Sequence, residues 1–531
     1  MKIFSLIILT LIFIFGKITA QDNLSALLPM PNYINLINGK KDFTVTEKTV
    51  IKTNLQDTSY CIKELQRIFQ ERMEITLHIS ASTRDKQVIH LILNPKINGS
   101  ESYSLSISNN SVKIEGATHG AILYGIMTLE QILIGDVSKT KSNKITQIGI
   151  NDAPRFGYRS LMLDPARHFL PVNDVKIFID QMVKYKYNTL QLHLTDDQGW
   201  RIEIKGHPQL TKNGDFYTQD ELKDLVRYAA ERNIQIIPEL DIPGHTVAFL
   251  ATYPHLGCSN TDTIPKIPGK TLDLMLCAAN DNVYPIYNDI ITTVANIFPS
   301  PYIHLGGDEA VVAKNWAKCE HCRALTKRLG YNNANQLMGY FFGKIMPTVY
   351  EAGKKPMFWC EIENNGKGGY EYLFNYPKDA ILFTWRNDLT PSCTELTEIN
   401  GNRLIMSPSE YAYLDYPQYK NDFPEFNNWG MPITTLETVY SFDPGYGLLP
   451  EKQEHIVGIN GTLWAEAIPD INRVTYMAFP RALALAEAGW TEMENRGWES
   501  FKSRMYPNIM ELMKCGVSIR VPYEIVDREN K

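Results

Sequence analysis

From Phe156 onward the chain repeats one pattern. A short apolar run ends in polar or aromatic residues and gives way to a longer segment with apolar positions three and four apart. The short runs are Ser160–Leu163, Thr189–Leu194, Ile234–Pro238, Tyr302–Leu305, Pro356–Trp359, Ile381–Thr384, Arg403–Met406 and Val457–Leu463. They are too short for helices, and their spacing predicts buried strands. The longer segments Asn173–Tyr185, Thr218–Arg232, Tyr284–Ile297 and Asn333–Glu351 predict helices. Thr218-Gln-Asp-Glu221 is a capping box ahead of Leu222, Leu225 and Val226. Eight strands alternating with helices predict a closed, parallel (β/α)8 barrel, an α/β fold, spanning residues 154–531 with its C-terminal helices.

Residues 21–153 follow a different rhythm. Ser102–Ser108 and Val112–Glu115 alternate apolar and polar positions, as half-buried strands do, and Thr118–Leu133 has helical spacing. This predicts a small α/β accessory domain ending at Asn151-Asp152-Ala153-Pro154. Residues 1–20 resemble a secretory signal peptide: Lys2, an apolar run from Ile3 to Phe15, then Ile18-Thr19-Ala20 before the expected cleavage. The alternative is an uncleaved anchor, although the run is short for a spanning helix. The expectation is export to the periplasm or the extracellular space, with no integral membrane segment in the mature chain.

Composition narrows the function. With 44% hydrophobic and 21% charged residues among 531, the chain is neither disordered nor fibrous. Its net charge of −6 comes with no basic run, which disfavours nucleic acid and anionic membranes as partners and favours a neutral substrate. Eight cysteines in a chain this long make no disulfide scaffold. Cys258 and Cys277 flank the loop Ser259–Leu276 and are the expected disulfide pair, a closure of about 3 kcal/mol in the chain-entropy model. Cys319-x-x-Cys322 is a lone pair, weak as a zinc signature, and a structural reading is preferred.

In such barrels the reactive groups gather where the strands end. Those ends carry Asp164 and Arg167-His168; Asp196, Asp197 and Trp200; Glu239, Asp241 and His245; Asp308-Glu309; Trp359 and Glu361; Trp385; Glu410 to Tyr413 and Asp415; and Trp464 and Glu466. A core needs no ring of acids. Carboxylates, Arg and His can bind sugar hydroxyls, Trp faces can stack on pyranose rings, and adjacent Asp308 and Glu309 can raise a pKa for acid catalysis.

Four segments carry a resemblance: Arg159-Ser-Leu-Met-Leu-Asp164 with Ala166-Arg-His-Phe169, His193-Leu-Thr-Asp-Asp-Gln-Gly-Trp-Arg201, Pro238-Glu-Leu-Asp-Ile-Pro-Gly-His245 and His304-Leu-Gly-Gly-Asp-Glu309. In this order, from about Leu28 to Trp490, they resemble the β-N-acetylhexosaminidases of glycoside hydrolase family 20. The resemblance implies exo-acting, retaining hydrolysis of terminal β-linked GlcNAc or GalNAc, in which the substrate's 2-acetamido oxygen replaces an enzyme nucleophile. Glu309 then corresponds to the general acid/base. Asp308 orients the acetamido group and stabilises the oxazolinium intermediate, and Tyr413 holds the acetamido oxygen. Trp359, Trp385 and Trp464 correspond to aromatic walls, and Arg159, Asp415 and Glu466 to ligands of the outer hydroxyls. Asp196, Asp241 and His245 form a supporting network. Arg167 and His168 serve either catalysis or packing, and His193 and His304 are expected to be satisfied core histidines. No cofactor and no catalytic metal are implied. Two rival readings remain at this point: a metal-dependent barrel amidohydrolase or deacetylase using His193, His245 and His304, and a glycan-binding relative without catalysis.

Overall fold

The computed structural model describes residues 24–36, 41–82, 84–137, 143–212, 214–258, 274–364, 366–386, 388–420, 422, 430–445, 448 and 450–523. The expected signal peptide lies outside them, as does most of the loop between Cys258 and Cys277.

The first domain is a mixed sheet in the order Tyr33–Leu36, Ile148–Asp152, Tyr103–Ile107, Ser111–Gly116, Val88–Leu93, Val50–Thr53 and His78–Ile79. Tyr103, Leu105 and Ile107 turn inward while Ser106 faces solvent, the alternation that marked this strand in the sequence. The helix His119–Val137 packs on the sheet and on the helix Tyr60–Met73, and also meets the barrel. Covered on several sides, it is apolar nearly all round rather than along one stripe.

All eight expected barrel strands form. They are β1 (Tyr158–Leu163), β2 (Thr189–His193), β3 (Gln235–Ile242), β4 (Tyr302–Gly306), β5 (Lys355–Trp359), β6 (Ile381–Thr384), β7 (Arg403–Met406) and β8 (Ile456–Leu463). The barrel closes by parallel pairing of β8 with β1, from Tyr158 beside Gly458 to Leu163 beside Leu463. Gly458 is required there, because a Cβ would lie 1.9 Å from the Tyr158 carbonyl oxygen. The predicted capping box is present: Thr218 accepts from the Glu221 backbone, and the Glu221 side chain accepts from Thr218.

Buried polar groups join the domains. Lys186 Nζ lies 3.2 Å from Asp152 Oδ2, both side chains fully buried. Tyr103 and the Trp490 indole donate to the same carboxylate oxygen at 2.7 and 2.9 Å. These contacts leave the C-terminal ends of the strands clear of the accessory domain.

The expected Cys258–Cys277 disulfide does not form. A disulfide joins Cys360, just past β5, to Cys393 in the helix Thr390–Asn400 after β6. Cys258 and Cys277 instead meet Cys319 and Cys322. Pairing by nearness along the chain missed that consecutive βα loops bring distant cysteines side by side.

Candidate active site

Asp308 and Glu309 follow β4 directly, and the two preceding glycines explain how both reach one place. Gly306 and Gly307 have φ of +63° and +91°. A Cβ on Gly306 would lie 1.8 Å from Asp241 Oδ1, the oxygen that accepts from the Gly307 N–H at 3.2 Å. The chain therefore turns tightly beneath the Asp241 carboxylate. Glu309 continues the turn at φ +45°, and His245, on the loop after β3, sits at φ +49°. Such values are uncommon for residues with a side chain and concentrate at functional sites. As a result His245 Nε2 lies 3.8 Å from Asp308 Oδ2 and 3.4 Å from Glu309 Oε2. Asp308 is nearly buried, whereas the Glu309 side chain is 62% exposed.

Behind His245 runs a network of charges. Its Nδ1 lies 3.2 Å from Asp196 Oδ1. The second Asp196 oxygen meets Arg167 Nη1 at 2.9 Å and His193 Nε2 at 2.8 Å. His193 Nδ1 and His304 Nδ1 lie 3.1 and 3.2 Å from the two oxygens of Glu239, which also accepts from the Trp359 indole at 2.7 Å. His193 and His304 are both core histidines, as expected, but they are not fully satisfied: His304 Nδ1 accepts from the Gly306 backbone N–H at 3.1 Å, and His193 Nδ1 and His304 Nε2 are left without a well-directed hydrogen bond. Burial opposes charge on His193 and His245, yet the surrounding carboxylates outweigh it and hold both well above the ordinary imidazole range.

The carboxyl groups divide. The His245 hydrogen bond holds Glu309 below the ordinary carboxylate range. Burial raises Asp308, with further push from Glu309 and Glu239. Burial and then Asp308 push Asp241 well above the range, and the same two causes lift Glu361 to about 8. An Oε1 of Glu361 accepts from the Glu309 backbone N–H at 3.3 Å. The pKa of Glu309, expected to rise beside Asp308, is lowered instead, because an imidazolium stands against its exposed end.

The remaining predicted residues mostly converge. Trp359, almost fully buried, packs 5.7 Å from the Trp464 ring and forms the floor of the site, while Trp385 and Trp464 lie partly exposed against the same cluster. Tyr413 stands 6.4 Å from Trp464, and burial, then Asp415, keeps its hydroxyl protonated. The Trp464 backbone N–H donates to Asp415 Oδ1 at 3.4 Å. Glu466 is half-exposed, 3.8 Å from Arg167.

Arg159 does not join them. It lies at the start of β1, the opposite end of the barrel, 1% exposed, with Nη2 2.8 Å from Glu101 of the accessory domain. Its guanidinium also donates to the Lys186 and Phe156 carbonyls. A parallel strand presents only its C-terminal end to the site, so Arg159 is a domain staple. Arg167, left outside the direct set, is the arginine of the site: it contacts Asp164 and Asp196 and lies 4.9 Å over the Trp464 ring. Glu239 and Glu361 were also visible only as strand-end acids; nothing in their spacing marked the histidines or the backbone they meet. A cavity of about 940 Å³ opens at the far end of the barrel, but its acid Glu101 is already paired with Arg159.

Two family models match the chain: the catalytic domain of glycosyl hydrolase family 20 over residues 156–493, and domain 2 of the same family over residues 24–153. A beta-hexosaminidase of Akkermansia muciniphila is 36% identical over 433 residues, which cover 78% of this chain and 84% of that protein. An exo β-N-acetylglucosaminidase of Vibrio harveyi, solved in complex with N-acetylglucosamine, superposes with a TM-score of 0.80 at 31% identity, covering 94% of this chain and 78% of that one. A Streptomyces plicatus N-acetyl-β-hexosaminidase in complex with Thio-NAglucal gives 0.78 at 29% identity, covering 94% and 97%.

Proposed function

The chain belongs to glycoside hydrolase family 20, and on that footing we propose that it removes terminal β-linked GlcNAc or GalNAc from the non-reducing ends of glycans, with retention. The observation that carries this reading is the shared orientation of Asp308 and Glu309, both within 4 Å of His245 Nε2.

The sugar stacks on Trp464, with Arg167, Asp415 and Glu466 offering partners to its outer hydroxyls. Sugar binding covers Glu309, and the lost hydration raises its pKa so that it carries the proton to be transferred. The substrate's acetamido oxygen attacks the anomeric carbon while Glu309 protonates the departing glycosidic oxygen, breaking that C–O bond. Asp308 accepts from the acetamido N–H and offsets the positive charge of the oxazolinium, and Tyr413 steadies the acetamido oxygen. Glu309, now a carboxylate, takes a proton from the water that attacks the anomeric carbon, and the ring opens to restore the acetamide. Two inversions give retention. Residues 1–20 direct export, which would bring the enzyme to glycans outside the cytoplasm.

The test compares wild type with Glu309→Gln on N,N′-diacetylchitobiose and on a nitrophenyl β-N-acetylglucosaminide. The substitution should lower disaccharide hydrolysis by roughly 10²–10⁴-fold, the ordinary worth of a general acid, and the activated glycoside by much less. Equal losses on both substrates would refute the acid role.

A further inference from the structure

Away from the carbohydrate site the fold gathers four cysteines. Cys258 and Cys277 lie in the excursion after β3, just beyond the antiparallel bridge between Gly257 and Leu276. Cys319 and Cys322 stand at the start of the helix Glu320–Arg328, in the excursion after β4. Sγ–Sγ separations are 3.5 Å for Cys277–Cys322, 3.8 Å for Cys258–Cys322 and 4.0 Å for Cys277–Cys319, and all four sulfurs fall within 4.8 Å of one another.

A disulfide requires about 2.0 Å between sulfurs, and the three close separations are well beyond it. A tetrahedral zinc ion with thiolates at about 2.3 Å sets its ligands about 3.8 Å apart, and the three values straddle that edge. Cys277 and Cys322 are buried, Cys258 and Cys319 half-buried, so the cluster is largely shielded from water. The Ala279 backbone N–H points at the sulfurs of Cys277 and Cys322, the kind of donor that steadies the excess negative charge of a thiolate centre. The C-x-x-C segment that looked weak alone has its second half in the neighbouring loop.

We propose that Cys258, Cys277, Cys319 and Cys322 hold one structural zinc ion. The site ties the excursion after β3, which begins with His245, to the excursion after β4, which begins with Asp308 and Glu309. The Trp316 indole, donating to the Leu276 carbonyl at 2.8 Å, is a second tie between the same segments. The metal takes no part in the reaction. It limits how far His245 and Glu309 can separate, and its loss lowers thermal stability and kcat together.

The experiment uses the full chain, exported during expression and purified without chelator. Elemental analysis should find one zinc per chain, and unfolding in chelator should expose six reactive thiols, the six cysteines outside the Cys360–Cys393 disulfide. Replacing zinc with cobalt should give the intense visible bands of tetrahedral thiolate-bound cobalt. Cys322→Ser and Cys258→Ser should each abolish metal and bands, while Cys61→Ser should keep both. Two thiols and no zinc would mean two further disulfides and would overturn the proposal. Six thiols without zinc, or zinc retained in Cys322→Ser, would overturn it equally. If the serine variants fail to fold, zinc content and thiol count of the wild type still decide. Metal content is read without an activity assay, so its outcome is separate from that of the glycosidase reading.

Discussion

Replacing His245 with asparagine should move the proton affinity of Glu309 by an amount the geometry allows us to work out. Asparagine is among the residues that most readily occupy the left-handed region, so the backbone at φ +49° is retained. What disappears is a positive charge 3.4 Å from Glu309 Oε2. At that separation the attraction is about 1 kcal/mol in water and about 5 kcal/mol at an effective dielectric of about 20. Glu309 is 62% exposed, which puts the value toward the water limit. A loss of about 1.4 kcal/mol corresponds to one pKa unit, so the Glu309 carboxyl should rise by roughly one unit. The assay is the pH dependence of kcat/KM on N,N′-diacetylchitobiose, whose leaving group needs the proton. Its alkaline limb reports loss of the acid form and should shift upward by about one unit, even as the maximum falls because Asp308 and Asp196 lose their partner. The limb belongs to the coupled cluster as a whole, so the shift is read between variants. An alkaline limb that stays in place or moves down would refute the electrostatic role of His245.

Three further predictions follow from the buried groups. Glu361 is lifted to about 8 by burial and Asp308, so the fold favours its protonated form, and stability should fall as pH rises from the ordinary carboxylate range through about 8; in Glu361→Gln, the loss of melting temperature between about pH 5 and about pH 9 should be visibly smaller than in wild type. Arg159→Met should destabilise the chain by about 3 kcal/mol, the lower end for a broken buried pair because Glu101 stays partly exposed, and leave KM unchanged. Arg167→Met should instead raise KM, and a raised KM in Arg159→Met would return that residue to the sugar site.

The barrel was legible because its strands are buried on both faces and appear as short apolar runs, each followed by a segment with a different period. The capping box at Thr218 and the alternation at Tyr103–Ile107 were legible for the same reason: their signals are local. Asp308-Glu309 was marked by Gly306-Gly307, whose need is geometric. What failed was what depended on three dimensions. Arg159 stands within a matching motif, but strand polarity sends it to the domain interface. Arg167 finds its purpose only when Asp196 and Trp464 arrive from other strands. The low pKa of Glu309 needed the position of an imidazole from the preceding loop. The four cysteines gather from two loops rather than along the chain.

The central claim is that the substrate's own amide performs the displacement while Asp308 steers it and Glu309 supplies the proton. Its most direct test is the wild-type enzyme's rate on a series of aryl glycosides whose N-acetyl group carries zero, one, two or three fluorines. Each fluorine withdraws electrons from the attacking carbonyl oxygen, so kcat/KM should fall steeply and monotonically along the series. A flat series would mean that the amide does not attack, and would contradict the account.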